Sequence, residues 1–120
     1  MKKNSIKQTF NFNSWAHGAF AADVNQDGYF DVLSTDYGPN TGIGFGSANG
    51  ITYKSTEYRG LWKGSGICAA DFLGDGSITI LVCDTEGTQS TGLYKWSIDA
   101  LGQLNFNKVS TLPSPRFELA

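Results

Sequence analysis

Gly18-Ala19-Phe20-Ala21-Ala22-Asp23-Val24-Asn25-Gln26-Asp27-Gly28 returns as Gly66-Ile67-Cys68-Ala69-Ala70-Asp71-Phe72-Leu73-Gly74-Asp75-Gly76, an offset of 71 − 23 = 48 residues. Both copies run from small residues into an acidic turn closed by glycine. A strand-like run follows each, Phe30-Asp31-Val32-Leu33-Ser34-Thr35-Asp36 and Ile78-Thr79-Ile80-Leu81-Val82-Cys83-Asp84. Glycine turns then lead to third strands, Gly42-Ile43-Gly44-Phe45-Gly46 and Gly92-Leu93-Tyr94-Lys95-Trp96. Second turns, at Ala48-Asn49-Gly50 and Ala100-Leu101-Gly102, lead to fourth strands at Ile51–Lys54 and Leu104–Asn107. Short strands at regular spacing, with no sustained helical period, predict an all-β chain.

A period of about 40–50 residues carrying four strands is the pattern of a propeller blade. The sequence therefore predicts four-stranded antiparallel blades in a single segment spanning 1–120. The first repeat covers about 18–65 and the second about 66–114. Flanking strands are expected at 6–14, which resembles a fourth strand, and at 115–120, which resembles a first strand. Propellers close with roughly 4–8 blades, more than this chain holds. The expectation is that the native protein is longer or that copies assemble as a homo-oligomer to complete the ring.

Composition narrows the partners. The chain of 120 residues is 40% hydrophobic and 13% aromatic, enough for an ordered core, and its fifteen glycines suit many tight turns. A net charge of −2 and a pI near 5.1 oppose a nucleic-acid footprint. No apolar run approaches the ~20 residues of a membrane span. Met1-Lys2-Lys3 is followed by polar residues, without the apolar core of a signal peptide. The expectation is nonetheless a protein working outside the cytoplasm.

Asp23, Asn25, Asp27 and Asp31 place oxygen donors at positions 1, 3, 5 and 9 of a nine-residue loop. Hard Ca²⁺ takes 6–8 oxygens in a flexible shell, at about 2.3–2.6 Å. Gly28 permits the sharp turn, and Tyr29 would add its backbone carbonyl. The three aspartates repel one another, so a divalent cation would be linked to the folding of the loop. An EF-hand loop is disfavoured: Ser34 stands where the bidentate glutamate belongs, and strand rather than helix follows. The second loop, 71–79, is degenerate, with Leu73 and Thr79 at positions 3 and 9, and no tight metal site is expected there. Leu73 is expected to pack in an apolar environment.

With these motifs in hand, residues 8–120 resemble FG-GAP/VCBS repeats, the blade repeats of integrin α-chain propellers and of many secreted bacterial and fungal proteins. The resemblance implies propeller blades with Ca²⁺ in the loop between strands 1 and 2. Gly44-Phe45-Gly46-Ser47-Ala48-Asn49-Gly50 is similar to the family's Phe-Gly and turn segment. Ser114-Pro115-Arg116-Phe117-Glu118-Leu119-Ala120 also resembles blade starts in fungal N-acetylglucosamine-binding propeller lectins.

The remaining chemistry is sparse. Reflection about the second loop, (68 + 83)/2 = 75.5, puts Cys68 and Cys83 opposite each other, as buried thiols or as a cross-strand disulfide. Trp15 and Trp62 precede the loop aspartates by matching distances, 23 − 15 = 8 and 71 − 62 = 9 residues, with His17 and Tyr58 nearby. Aromatic rings beside polar groups suit a carbohydrate, although the reading that these tryptophans seal one blade against the next stands ahead of it. Asp36, Asp84 and Asp99 read as turn caps, so no enzyme is expected. The favoured function is a calcium-stabilised, lectin-like recognition module. A protein-interaction or adhesion module is the alternative.

Overall fold

A computed structural model describes residues 16–36, 41–57, 66–83 and 91–111. These residues form eight strands and no helix: β1 (Ala16–Ala22), β2 (Asp31–Asp36), β3 (Gly42–Ser47), β4 (Gly50–Ser55), β5 (Gly66–Ala70), β6 (Thr79–Cys83), β7 (Gly92–Ile98) and β8 (Leu104–Thr111). They pair into two four-stranded antiparallel sheets, β1-β2-β3-β4 and β5-β6-β7-β8. Each sheet is one repeat, and the arrangement is that of two propeller-like blades without closure. The expected flanking strands at 6–14 and 115–120 lie outside the described residues. Among the described residues, no helix is long and apolar enough to cross a membrane.

The strands follow from the local sequence. β-branched and aromatic residues recur in β2 (Val32, Thr35), β6 (Thr79, Ile80, Val82) and β7 (Tyr94, Trp96, Ile98), where a pleated, half-buried surface suits them. Ser47 faces Gly50 across a two-residue turn, with Gly50 at φ 112°, and the Ser47 hydroxyl donates to the Gly50 carbonyl at 2.9 Å. The longer turn of the second blade is held by Asp99, whose Oδ1 accepts the Leu101 and Gln103 amides at 2.9 and 3.0 Å.

The register repeats as well. Ala22 faces Asp31 and Ala70 faces Thr79, the same pairing displaced by 48 residues (70 − 22 and 79 − 31). That register corrects the expected cysteine pairing. Cys68 faces Leu81, and Cys83 faces Gly66, so the two cysteines are diagonal neighbours on one face of the sheet. The ladder reflects about (70 + 79)/2 = 74.5, because Asp71–Ile78 all belong to the turn. Both cysteines are free, half-buried thiols.

The blades pack face to face. Leu33 and Ile43, cross-strand partners on one face of the first sheet, join a cluster with Ala69, Ile80, Val82, Tyr94, Leu104 and Phe106 of the second. Phe45 lies against Trp96 with ring centroids 5.3 Å apart. At the outer rim, the Lys54 ammonium donates to the Gly102 carbonyl at 2.9 Å. Burial of each large apolar side chain here contributes about 1.5–3 kcal/mol. The contact runs closest along the inner strands β1, β2 and β5, so the sheets fan outward from that side.

Candidate functional site

The two acidic loops adopt one conformation. In the first, Asp23 Oδ1 accepts the Asp27 amide at 3.0 Å and Oδ2 accepts that of Gly28 at 2.8 Å. In the second, Asp71 accepts the Asp75 and Gly76 amides in the same way, at 3.0 and 2.9 Å. Asp27 then takes the Tyr29 amide at 3.0 Å, and Asp75 takes that of Ser77 at 2.9 Å. The left-handed positions also match: Gln26 (φ 58°) with Gly74 (φ 70°), and Gly28 (φ 94°) with Gly76 (φ 85°). Carboxylates that cap their own loop's N–H groups thus define this turn with or without the full donor set.

What separates the loops is position 9. Asp31 is fully enclosed, with Oδ2 accepting the Val24 amide and Oδ1 the Gly46 amide, both at 2.8 Å. Burial raises its carboxyl above the ordinary value, against which the Gly46 and Val24 amides pull down. Charge on Asp27 raises it further. Thr79, the counterpart, instead donates its hydroxyl to the Ala70 carbonyl at 3.2 Å. Asp31 thereby anchors the acidic loop onto β3, a role that sequence spacing did not reveal.

The expected calcium donors meet this geometry as follows. Asp23 and Asp27 each retain acceptor capacity, because a carboxylate oxygen has two lone pairs and each bonded oxygen here takes one N–H. Asn25 and Asp27 are exposed on the loop. Asp23, Asn25, Asp27, Asp31 and the Tyr29 carbonyl form an all-oxygen set whose chemistry suits a hard cation. Among the described residues, however, no three acidic, histidine or cysteine side chains gather on a point. In the second loop, Leu73 is 47% exposed rather than packed, and Phe72 beside it is 44% exposed.

A groove opens where the loops meet at the blade interface. It measures about 340 Å³ and is lined by Val24, Asn25, Gln26, Ser77, Ile78, Lys95 and Trp96. The Gln26 side-chain amide donates to the Gly76 carbonyl at 3.1 Å, which ties one loop to the other across its end. Lys95 lies 3.8 Å from Asp75, both of them exposed, so that pair adds little stability. An aromatic wall, two amides, a hydroxyl and an ammonium group thus converge on one concave surface.

The expected carbohydrate residues are not among the side chains that the structure describes. Trp15, Tyr58 and Trp62 fall outside the described residues; His17 is in β1, but its side chain falls outside them too. Apart from Asn25, expected as a metal donor, the groove residues escaped sequence reasoning because they come from three separate segments. Only the repeat signalled them, since it stacks one acidic loop beside the other. No family model, curated protein or solved structure matches the chain significantly.

Proposed function

We propose that this chain is a calcium-stabilised recognition module of FG-GAP/VCBS propeller type, acting outside the cytoplasm, whose interblade groove takes a glycan. The groove carries the reading. Trp96 offers an apolar wall for a sugar face, while Asn25, Gln26, Ser77 and Lys95 offer hydrogen bonds to hydroxyls. Asn25 and Gln26 belong to the acidic loop itself, so whatever stiffens that loop also fixes one wall of the groove. Calcium held by Asp23, Asn25, Asp27, Asp31 and the Tyr29 carbonyl is proposed to supply that stiffness. Its positive charge would also offset the repulsion among the carboxylates. The second loop, with Leu73 at position 3 and only the Thr79 hydroxyl at position 9, holds its shape through hydrogen bonds and needs no ion.

A protein-interaction role is a second reading, favoured by Phe72, Leu73 and Leu101, which stand exposed on the turns of the second blade. One experiment separates the two. The chain is applied to a glycan array with calcium, and again with a chelator. Selective binding that needs calcium and disappears in Asn25→Ala or Lys95→Ala supports the lectin reading. A blank array, with capture of an extracellular protein lost on Leu73→Ser, would replace it.

A further inference from the structure

The two acidic loops part company at position 4 as well as at positions 3 and 9. Gln26 and Gly74 hold the same place in the turn and the same left-handed backbone, at φ 58° and 70°. Glycine adopts that conformation freely, whereas a residue with a Cβ gives up stability to hold it. A Cβ added at Gly74 would meet nothing within 4 Å, so lack of room does not explain the glycine there. A backbone outlier of this kind points to work done by its side chain.

The Gln26 side-chain amide reaches across to the Gly76 carbonyl at 3.1 Å. Its acceptor is itself held, because Asp71 takes the Gly76 amide at 2.9 Å. Ser77 and Ile78, the next two residues, line the groove from the second blade. Ser77 is fixed in turn by Asp75, which accepts its amide at 2.9 Å and its hydroxyl at 2.6 Å. Val24, Asn25 and Gln26 itself line the groove from the first blade. The Gln26–Gly76 hydrogen bond therefore joins the two walls.

The geometry points to Gln26 as a positioning residue that holds the walls of the groove at a fixed spacing and passes any stiffening of the first loop on to the second. The regulatory half of this rests on the calcium reading above. Asn25 and Asp27, on either side of Gln26, are both proposed donors, so an ion that fixes them fixes the Gln26 backbone between them. The second loop, where no tight metal site is expected, then responds to the ion through the Gly76 carbonyl. A ligand between the walls gains from both effects, because less freedom remains to be lost on binding.

Amide hydrogen exchange on the 120-residue chain, followed residue by residue, tests this. Gln26→Met keeps a side chain of similar length but has no N–H to donate. In chelator, the Gly76 and Ser77 amides should exchange roughly 2–12-fold faster in the variant than in the parent, the size of one hydrogen bond's net contribution. Equal rates would overturn the proposal. Calcium should slow the Asp27 and Gly28 amides in both chains, and those of Gly76 and Ser77 in the parent alone. Slowing at Gly76 and Ser77 that persists in Gln26→Met, or that is missing from the parent while Asp27 and Gly28 respond, would sink the coupling. No response at Asp27 and Gly28 would end the metal reading instead, with the chelator comparison still deciding the role of Gln26. Gln26→Gly copies the sister loop and relieves the backbone, so it guards against a fold lost in Gln26→Met. It should match the fast exchange of Gln26→Met, and parent-like rates in it would count against the link.

Discussion

The Asp31 carboxylate accepts the backbone N–H of Gly46 at 2.8 Å from a fully enclosed position, and so fastens the acidic loop to the third strand. Its other oxygen holds the Val24 amide, at the loop's opposite end. One side chain thus spans the loop, β2 and β3. A neutral amide cannot do this, because its nitrogen has no lone pair to accept with.

Asp31→Asn is therefore expected to lose about 1–3 kcal/mol of stability by leaving a buried N–H unmatched. The loss should appear in urea melts carried out with chelator present, since it arises from hydrogen bonds and not from an ion. Equal midpoints for variant and parent would refute this role for Asp31.

Gly46 itself tolerates no side chain. A Cβ there would run into the carbonyl oxygen of Phe30 and crowd the Tyr29 side chain. Gly46→Ala should cost about 1–3 kcal/mol as overpacking and displace β3 from Asp31. In Gly28→Ala the cost has a different source, the left-handed backbone at φ 94°, since open space surrounds that position. Chemical shifts along β3 should move in the first variant and stay put in the second.

Calcium is expected to raise the melting temperature of the parent chain. At a concentration of ~100 times the dissociation constant the gain is about 2.7 kcal/mol. Asp27→Ala should abolish the gain, and Asp75→Ala in the sister loop should leave it intact. A melt unchanged by calcium in the parent chain would end the metal proposal.

Within the groove, two kinds of substitution should behave differently. Lys95 is exposed, so Lys95→Ala should weaken glycan binding with little change in stability. Trp96 packs at a tilt against Phe45 as well as lining the groove, so Trp96→Ala should lose both binding and stability. Calorimetric titration beside a thermal melt separates the two effects. Full binding by Lys95→Ala would remove that residue from the site.

The cysteines give a pH signature. Burial raises both thiols above the ordinary value of 9.0, and Cys68 raises Cys83 further. The folded chain favours the protonated thiols, so their contribution is complete below pH 9.0 and is lost as pH rises through the raised values. Melting temperature should fall more steeply on the alkaline side in the parent than in a Cys68→Ala, Cys83→Ala variant. Iodoacetamide should label the native chain more slowly than the urea-unfolded chain at neutral pH. Identical alkaline profiles for parent and variant would contradict the assignment.

The sequence by itself determined the repeat, the all-β class and the eight described strands, because period-2 patterning and glycine turns are local signals that two copies reinforce. It also located the acidic loop and marked its sister as degenerate. Tertiary structure decided what those residues do. Asp31, read as one donor among several, became a buried anchor once β3 brought Gly46 to it. Cys68 and Cys83, opposite by counting, became diagonal once the ladder fixed its register at Ala70 and Thr79. Leu73 proved exposed, and the groove proved to lie between loops 50 residues apart at Gln26 and Gly76. Pairing register, burial and the meeting of distant loops depend on how sheets stack, and no local pattern encodes that.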